Sequence, residues 1–171
     1  MNQQSIRIDD SEIDDNLILY YRSVLNTSFP ISKNFNFHDF TDSFAKTLNI
    51  SKKEILNNRI WGQKSSNILN LRTLCKELLE PIVEITGNIP TIKIGILNKV
   101  LIKKLQLGSD CLMWFGKAAT LRFNHKNNFE IFMKILESKL IFGELIYFAK
   151  KDMIYITLPT FVVKNIVKVK E

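Results

Sequence analysis

The chain of 171 residues is 46% hydrophobic and 11% aromatic, which is enough for a buried core and excludes a chain that is disordered throughout. Its net charge of +7 favours an anionic partner. The charge is uneven, because residues 1–50 contain four Lys or Arg against seven Asp or Glu, whereas residues 51–171 contain twenty against ten. We predict a divergent helical N-terminal region over residues 1–58 and a basic domain over residues 59–171.

The residue types needed for catalysis or metal binding form no recognisable pattern. Cys75 and Cys111 have neither the spacing of a zinc site nor that of a disulfide framework. The sequence contains no Gly-rich phosphate loop, nucleophile elbow or paired histidine–carboxylate motif. Glu77, Glu80 and Glu84 are predicted to form a solvated helix face. We therefore expect no enzymatic activity, no catalytic residue, no metal site and no cofactor.

Membrane and export segments are not predicted either. No apolar run is long enough to span a bilayer. The first fifteen residues are acidic and lack the basic start and apolar core of a signal peptide, and they make a poor transit peptide. We expect the protein to work in the compartment where it is made. Its frequent Asn, Lys, Ile and Phe are typical of an AT-rich bacterial or organellar coding genome.

The N-terminal region carries helical patterns. Three helices are predicted there from apolar residues at helical spacing: 16–26, 37–48 and 51–58. Trp61 then lies between two basic residues, Arg59 and Lys64. It is predicted to fill or cover the core, and the alternative is that it stacks on an exposed base.

The strongest helical pattern begins at an N-cap, Asn67, and ends at Gly87. Its apolar stripe is predicted to be buried. The charged residues between the apolar ones, Arg72 and Glu80 among them, are predicted to face solvent. Pro81 is expected to kink the last turn, because proline cannot continue regular helical hydrogen bonding.

Two strands, over residues 91–97 and 112–123, are predicted to pair across a long, basic, Gly-containing tip. In the second strand, Ala119 and Leu121 should lie on one face and Arg122 on the other. This half-buried strand is expected to carry Lys117 and Arg122 to an exposed edge.

A helix and further β-prone segments are predicted after the second strand. Asn127 and Glu130 form a capping pair for the helix. Its buried stripe is predicted to comprise Phe129, Phe132, Met133 and Leu136. Another strand is expected over residues 153–158. The last ten residues alternate Val with Lys near their end, and they are either an edge strand protected by lysines or a basic tail.

Nine basic residues on these strands, their tip and the neighbouring turns are predicted to contact RNA. They are Arg59, Lys64, Lys93, Lys99, Lys103, Lys104, Lys117, Arg122 and Lys126. Each contact with a phosphate would add to a salt-dependent affinity. No base-reading pattern is evident, so recognition of RNA shape and backbone is the simpler prediction.

The order of several short motifs from Ile68 to Thr160 resembles a known family. They are a Thr-Gly-Asn-Ile-Pro turn at 86–90, Gly116 four residues before Thr120-Leu121-Arg122, Phe129 seven residues after Arg122, and Ile-Phe-Gly-Glu-Leu at 141–145. This pattern is similar to that of large-subunit ribosomal protein five of the universal naming, the 5S rRNA-associated protein of the central protuberance. The sequence departs from the family at Phe123, which replaces Gly, at Gly143, which replaces Pro, and at Gln106, which replaces Arg.

The resemblance implies an α+β fold: an antiparallel sheet with helices packed on one face and a protruding basic loop over residues 98–112. It implies binding to rRNA, including 5S rRNA where the ribosome contains one. It also implies contacts with P-site tRNA, neighbouring large-subunit proteins and a small-subunit head protein. The shortened, AT-rich sequence is most similar to a mitochondrial version, and a plastid or the bacterial cytoplasm is the alternative location.

Two other classes of function remain open from the sequence. The same charge distribution and helix-then-hairpin order suit a plasmid or phage replication protein that binds DNA. A small-molecule enzyme would need a closed pocket, for instance one lined by Trp61, Trp114 and His125.

Overall fold

The structure, a computed structural model, describes residues 28–42, 51, 53–54, 65–108 and 111–171. The predicted helix over residues 16–26 lies outside them, as do Arg59, Trp61 and Lys64. The fold class is α+β, as predicted. The described helices are α1 (Phe37–Thr41), α2 (Ser65–Leu74), α3 (Glu80–Thr86), α4 (Lys99–Lys104) and α5 (Asn128–Glu137). The strands are β1 (Thr91–Ile94), β2 (Ala118–Arg122), β3 (Glu144–Phe148), β4 (Met153–Thr157) and β5 (Ile166–Lys170).

The strands form one sheet in the order β1-β2-β4-β3-β5. All neighbours are antiparallel except β3 and β5, which run parallel. The prediction of an antiparallel sheet is wrong at this pair, and the reason is connectivity. β4 ends beside the start of β3, where the amide of Glu144 donates to Thr157 Oγ1 at 2.9 Å. The short connection keeps the chain at that end, so β5 must run in the direction of β3.

One face of the sheet packs against the helices. Ile92, Leu121 and Ile154 of the sheet belong to the same buried cluster as Leu71 of α2 and Ile135 of α5. Four phenylalanines from residues 28–42 join this cluster: Phe29, Phe35, Phe37 and Phe40. The described part of the predicted N-terminal region therefore shares its core with the basic domain, and the boundary at residue 58 stays a prediction.

The long helical segment is continuous from α2 to α3, with a π-helical turn between them at Cys75–Leu79. Pro81 has no N–H, and its ring would clash with a carbonyl four residues earlier in a regular α-helix. A kink was predicted at Pro81, and the structure has instead this π-helical turn just before the proline. Gly87 ends the segment with a left-handed φ of 67°, and its amide donates to the carbonyl of Val83. The prediction at Gly87 is confirmed.

The prediction that Arg72 and Glu80 face solvent is wrong. Arg72 is 2% exposed and Glu80 is 9% exposed. The guanidinium of Arg72 donates to the carbonyl of Ile31 at 2.8 Å. The carboxylate of Glu80 accepts hydrogen bonds from the Ser32 hydroxyl and from both the backbone and the side-chain N–H groups of Asn34. These two charged groups attach residues 31–34 to the long helical segment.

In α5 the predicted cap is confirmed, and the predicted stripe is confirmed at Phe132 and Met133 but wrong at Phe129 and Leu136. Asn127 is the N-cap, and its side chain accepts from the amides of Phe129 and Glu130. The buried residues are Asn128, Ile131, Phe132 and Ile135, whereas Phe129 and Leu136 are 42% and 36% exposed. The helix is rotated by about one residue relative to the prediction, because the buried Asn128 bonds the backbone of Phe123 in the preceding turn.

The second face of the sheet is covered in part by residues 97–108 and 111–113. The first strand was predicted over residues 91–97, whereas β1 ends at Ile94. Helix α4 occupies the beginning of the predicted basic loop. Asn98 caps α4 by accepting from the amide of Leu101. Leu101 and Ile102 are buried in a second cluster with Leu97, Met113 and Ala118. The beginning of this connection is therefore a helix anchored by apolar contacts.

Helix α2 is joined to the start of β2 by two asparagines. Asn67, which is 3% exposed, donates from its side chain to the carbonyl of Trp114 at 3.0 Å, and Asn70 donates to that of Phe115 at 2.9 Å. The prediction of Asn67 as an N-cap is wrong, because the helix already includes Ser65. Gly116 follows with a φ of 68°, close to the carbonyl of Asn67.

We predict that Glu80→Gln destabilises the fold. The NH2 group of the glutamine would face an N–H or O–H donor of Ser32 or Asn34, and the remaining hydrogen bonds would lose their charged acceptor. The free energy of unfolding should therefore fall by about 1.5–3 kcal/mol. Chemical denaturation measures this change. The control is Glu84→Gln on the exposed side of α3, and an equal effect of both variants would contradict the assigned role of Glu80.

We also predict that Gly116→Ala lowers the free energy of unfolding by about 2 kcal/mol or more, since it combines a left-handed φ with steric overlap against Asn67. Gly108→Ala is the matched control, because a Cβ there meets nothing within 4 Å. Thermal or urea unfolding of both variants checks this, and tolerance of alanine at Gly116 would refute it.

Candidate nucleic-acid interface

Arg122 ends β2 at one end of the sheet. It pairs with Thr91, the first residue of β1, and its side chain is exposed. Because side chains alternate along a strand, Arg122 points away from the face that carries Leu121 and the main core. The prediction of a half-buried strand at an exposed edge is wrong: β2 is second in the sheet, and residues 118–121 are buried on both faces. Only the last residue of β2 is exposed.

Two turns carry further cations to the same end of the sheet. Lys126 lies in the turn after β2, and Lys150 and Lys151 lie in the 3-10 turn between β3 and β4. The buried side chain of Asn128 joins the two turns. Its amide donates to the carbonyl of Lys126 at 3.4 Å and to Asp152 Oδ2 at 2.9 Å. The fold therefore holds both turns side by side.

The end of β5 adds Lys170. This residue lies opposite Phe148 in the parallel ladder, and its ammonium is 5.8 Å from the centre of the Phe148 ring. Such a placement of a cation over an aromatic ring is favourable. Since Phe148 directly precedes the turn of Lys150 and Lys151, Lys170 belongs to the same end of the sheet.

We call these five exposed cations the basic end: Arg122, Lys126, Lys150, Lys151 and Lys170. In the part of the chain that the structure describes, none of them forms an ion pair. Asp152 is the acidic residue of the same turn, and its oxygens accept from Asn128 and from the hydroxyl of Tyr147. Desolvation, and after it this hydrogen bond, raise the pKa of Tyr147 above its usual value. The basic end therefore presents five exposed cations that form no direct ion pair with the described residues.

A groove of about 410 Å³ lies beside the basic end, on the sheet face away from the main core. Phe148 and Tyr155 contribute to its lining, and so do Lys151 and Lys170. Aromatic rings next to cations are the combination that proteins use to hold nucleic acid, because rings can stack on bases while cations neutralise phosphates.

Tyr155 is one of the polar residues that line this groove. Burial, and to a lesser degree the neighbouring Cys111 and Glu144, raise the pKa of its phenol well above the usual value. The phenol therefore keeps its proton at neutral pH and is available as a hydrogen-bond donor.

The other predicted RNA contacts in β1 and before β2 are not at the basic end. Lys117 precedes β2, at the opposite end from Arg122, and is half-buried. Lys93 is also half-buried, at the irregular step in the pairing of β1 with β2. The structure thus brings Arg122 and Lys126 together and leaves these two lysines apart from them.

Helix α4 carries three more of the predicted contacts. The ammonium of Lys99 is 5.7 Å from the centre of the Trp114 ring. Lys104 Nζ is 2.7 Å from Glu54 Oε1. Lys103 is exposed. Two of the three cations on this helix therefore already have partners within the chain.

Three members of the basic end, Lys150, Lys151 and Lys170, were not among the predicted contacts. The sequence shows the first two only as a turn and the third only as part of an alternating C-terminal segment. Their proximity to Arg122 depends on the strand order, which places β4 between β2 and β3 and places β5 beyond β3. Predicting a hairpin of β3 and β4 was the one way to infer from the sequence that the turn of Lys150 and Lys151 lies at the same end of the sheet as Arg122.

Within the described ranges, no group of three or more His, Cys, Asp or Glu side chains could hold a metal ion. None of the described helices is long and apolar enough to cross a membrane.

Comparison with known proteins adds no identification. No protein-family model matches the sequence, and no significant match was found among curated proteins or among solved structures. The function is therefore inferred from the fold and from the geometry of the basic end.

We predict that Lys104→Gln raises the pKa of Glu54. The hydrogen bond from Lys104 is the largest of the causes that lower this pKa from 4.5 to about 2, followed by the bonds from Ser51. NMR titration of the carboxyl carbon measures the change, and Lys103→Gln should leave it unaltered. Because the pKa is lowered in the fold, any stability from this pair is present above pH 4.5 and is lost as the pH falls toward 2. An unchanged pKa would contradict the pairing.

Proposed function

We propose that the protein is a non-catalytic RNA-binding protein that holds structured RNA on the basic end and the adjoining groove. The observation that carries this proposal is the convergence of five exposed cations, from three separate stretches of the chain, none of which forms an ion pair among the described residues. A single surface lysine has little meaning, but five at one end of a sheet create a local positive potential. Phosphates are the anions that such a row of cations fits.

The expected affinity is electrostatic and therefore depends on salt. If all five cations contact phosphates, the logarithm of the binding constant should fall with the logarithm of salt concentration with a slope of roughly −3.5 to −4.5. The aromatic residues of the groove, Phe148 and Tyr155, favour RNA with unpaired nucleotides over a regular DNA duplex, since only unstacked bases can reach a protein ring.

The particular role that we propose is that of a large-subunit ribosomal protein, similar to protein five of the universal naming. Its partners would be rRNA of the central protuberance, with 5S rRNA where present, P-site tRNA, neighbouring large-subunit proteins and a small-subunit head protein. Its location would be a mitochondrial ribosome, or alternatively a plastid or bacterial cytoplasm. The order of the motifs supports this role, and Gly87 and Gly116 of those motifs both have a positive φ.

We predict that the double variant Arg122→Gln/Lys126→Gln weakens binding to a structured RNA. The salt slope should become shallower by roughly 1.4–1.8, because two phosphate contacts are lost. Fluorescence anisotropy with a labelled RNA hairpin, between about 50 and 300 mM salt, measures the slope. Lys134→Gln/Lys139→Gln is the matched control, since both lysines are exposed and outside the basic end.

The same titration separates the alternatives. Tighter binding to a duplex DNA of the same sequence would favour a replication protein and contradict the RNA proposal. Equal slopes for the double variant and its control would remove the basic end as the interface. Co-sedimentation with the large ribosomal subunit at moderate salt supports the ribosomal role, and co-sedimentation with the small subunit alone, or with no particle, would overturn it.

A further inference from the structure

β5 is the outermost strand of the sheet, and no described strand pairs with its outer side. The amide of Ile166 donates to the carbonyl of Gly143 at 2.9 Å, so the backbone groups of Ile166 face β3. Backbone groups alternate in direction along a strand. The N–H and C=O groups of Val167 and Val169 are therefore directed to the open side of β5.

The side chains of β5 alternate as well. Lys168 and Lys170 lie on the face of the groove, where Lys168 Nζ is 2.8 Å from Glu144 Oε1 and Lys170 forms no ion pair among the described residues. Val167 and Val169 lie on the other face and are 38% and 58% exposed. The outer strand thus combines free backbone groups with one cationic face and one apolar face.

We propose that this open edge of β5 binds an extended segment of a partner protein, in which acidic residues alternate with apolar ones, as an added strand of the sheet. The backbone of such a segment would pair with Val167 and Val169. Its acidic side chains would lie beside Lys170 and would share Lys168 with Glu144, and its apolar side chains would cover the two valines. Addition of a strand to a free sheet edge is an established mode of peptide recognition.

A second copy of this chain does not fit the edge. Pairing of β5 with β5 would place lysines beside lysines, and like charges opposite each other in neighbouring strands are destabilising. Lysines on an edge strand also protect a protein from indiscriminate pairing. The lysines therefore select against self-association while leaving an acidic partner favoured. RNA does not fit either, because it has no peptide backbone that could pair with Val167 and Val169 as an added strand.

Exposed apolar residues continue beyond the start of β5. Phe161 and Val162, in the connection from β4, are fully or almost fully exposed, and Ile141 is 60% exposed. Asn165 holds the connection beside Ile141, because its amide donates to the carbonyl of Phe142 at 2.7 Å. A protein partner that extends past β5 would find further apolar surface there.

The test uses the full chain and a labelled synthetic peptide of alternating Glu and Val. We expect this peptide to bind at least tenfold more tightly than a peptide of alternating Lys and Val, as measured by fluorescence anisotropy. N-methylation of alternate peptide amides should abolish binding, because one edge of the peptide then lacks donors. Equal affinity for the acidic and basic peptides would overturn the proposal.

Two substitutions locate the binding to the edge. Val169→Pro removes an outward N–H, a change that edge strands tolerate, and should weaken peptide binding at least tenfold. Val169→Ala keeps the N–H and should weaken it much less. Val169→Pro should leave the salt slope of RNA binding unchanged, so failure of this proposal is distinguishable from failure of the RNA interface. If Val169→Pro does not fold, Lys168→Glu replaces it, because Lys168 lies on the same face of β5 but outside the basic end, and this variant should reverse the preference between the two peptides.

Hydrogen exchange measured by NMR tests independently whether the outer side of β5 is open and whether the peptide pairs with it. The amides of Val167 and Val169 should exchange rapidly in the free chain and become protected when the acidic peptide binds. Protection of both amides in the free chain, or self-association that Val169→Pro abolishes, would show that the edge is already occupied and would overturn the proposal.

Discussion

The attachment of α2 to the chain entering β2 is the constraint on which the sheet depends. Asn67 and Asn70 bind two successive carbonyls, and Gly116 then turns the chain with a left-handed φ at a point where a Cβ would overlap the helix. Because β2 is buried on both faces and pairs with both β1 and β4, its position sets the position of both neighbours. The end of β2 that carries Arg122 is placed by the same attachment.

Local signals in the sequence predicted local structure well. The cap at Asn127 and the left-handed stop at Gly87 depend only on residues within one helical turn, so they could be identified without the fold. The failures concern distant partners. Glu80 looked solvated because its partners Ser32 and Asn34 are 48 and 46 positions away in the chain. The helical phase of α5 is the exception, because Asn128 takes its buried position through hydrogen bonds with the backbone of Phe123, only five residues earlier.

The candidate interface shows the same division. Arg122 and Lys126 could be proposed from one strand and the turn after it, because they are close in the sequence. Lys150, Lys151 and Lys170 come from a hairpin turn and from a parallel edge strand, and a parallel pair has no short-range signal. Lys99 and Lys104 were equally basic in the sequence, yet each is engaged by a neighbour, Trp114 or Glu54. Positive charge in the sequence therefore does not distinguish the cations of the basic end from Lys99 and Lys104, which already have partners within the chain.

The parallel position of β5 also affects how the protein folds during synthesis. β3 and β4 form a hairpin from adjacent residues and can pair early, whereas the outer side of β3 stays open until residues 166–170 have been made. An unpaired strand edge on an incomplete chain is a site of misassociation. β5 therefore acts as a late cover for an aggregation-prone edge, and translation that stops before residue 166 would release a sheet with β3 exposed.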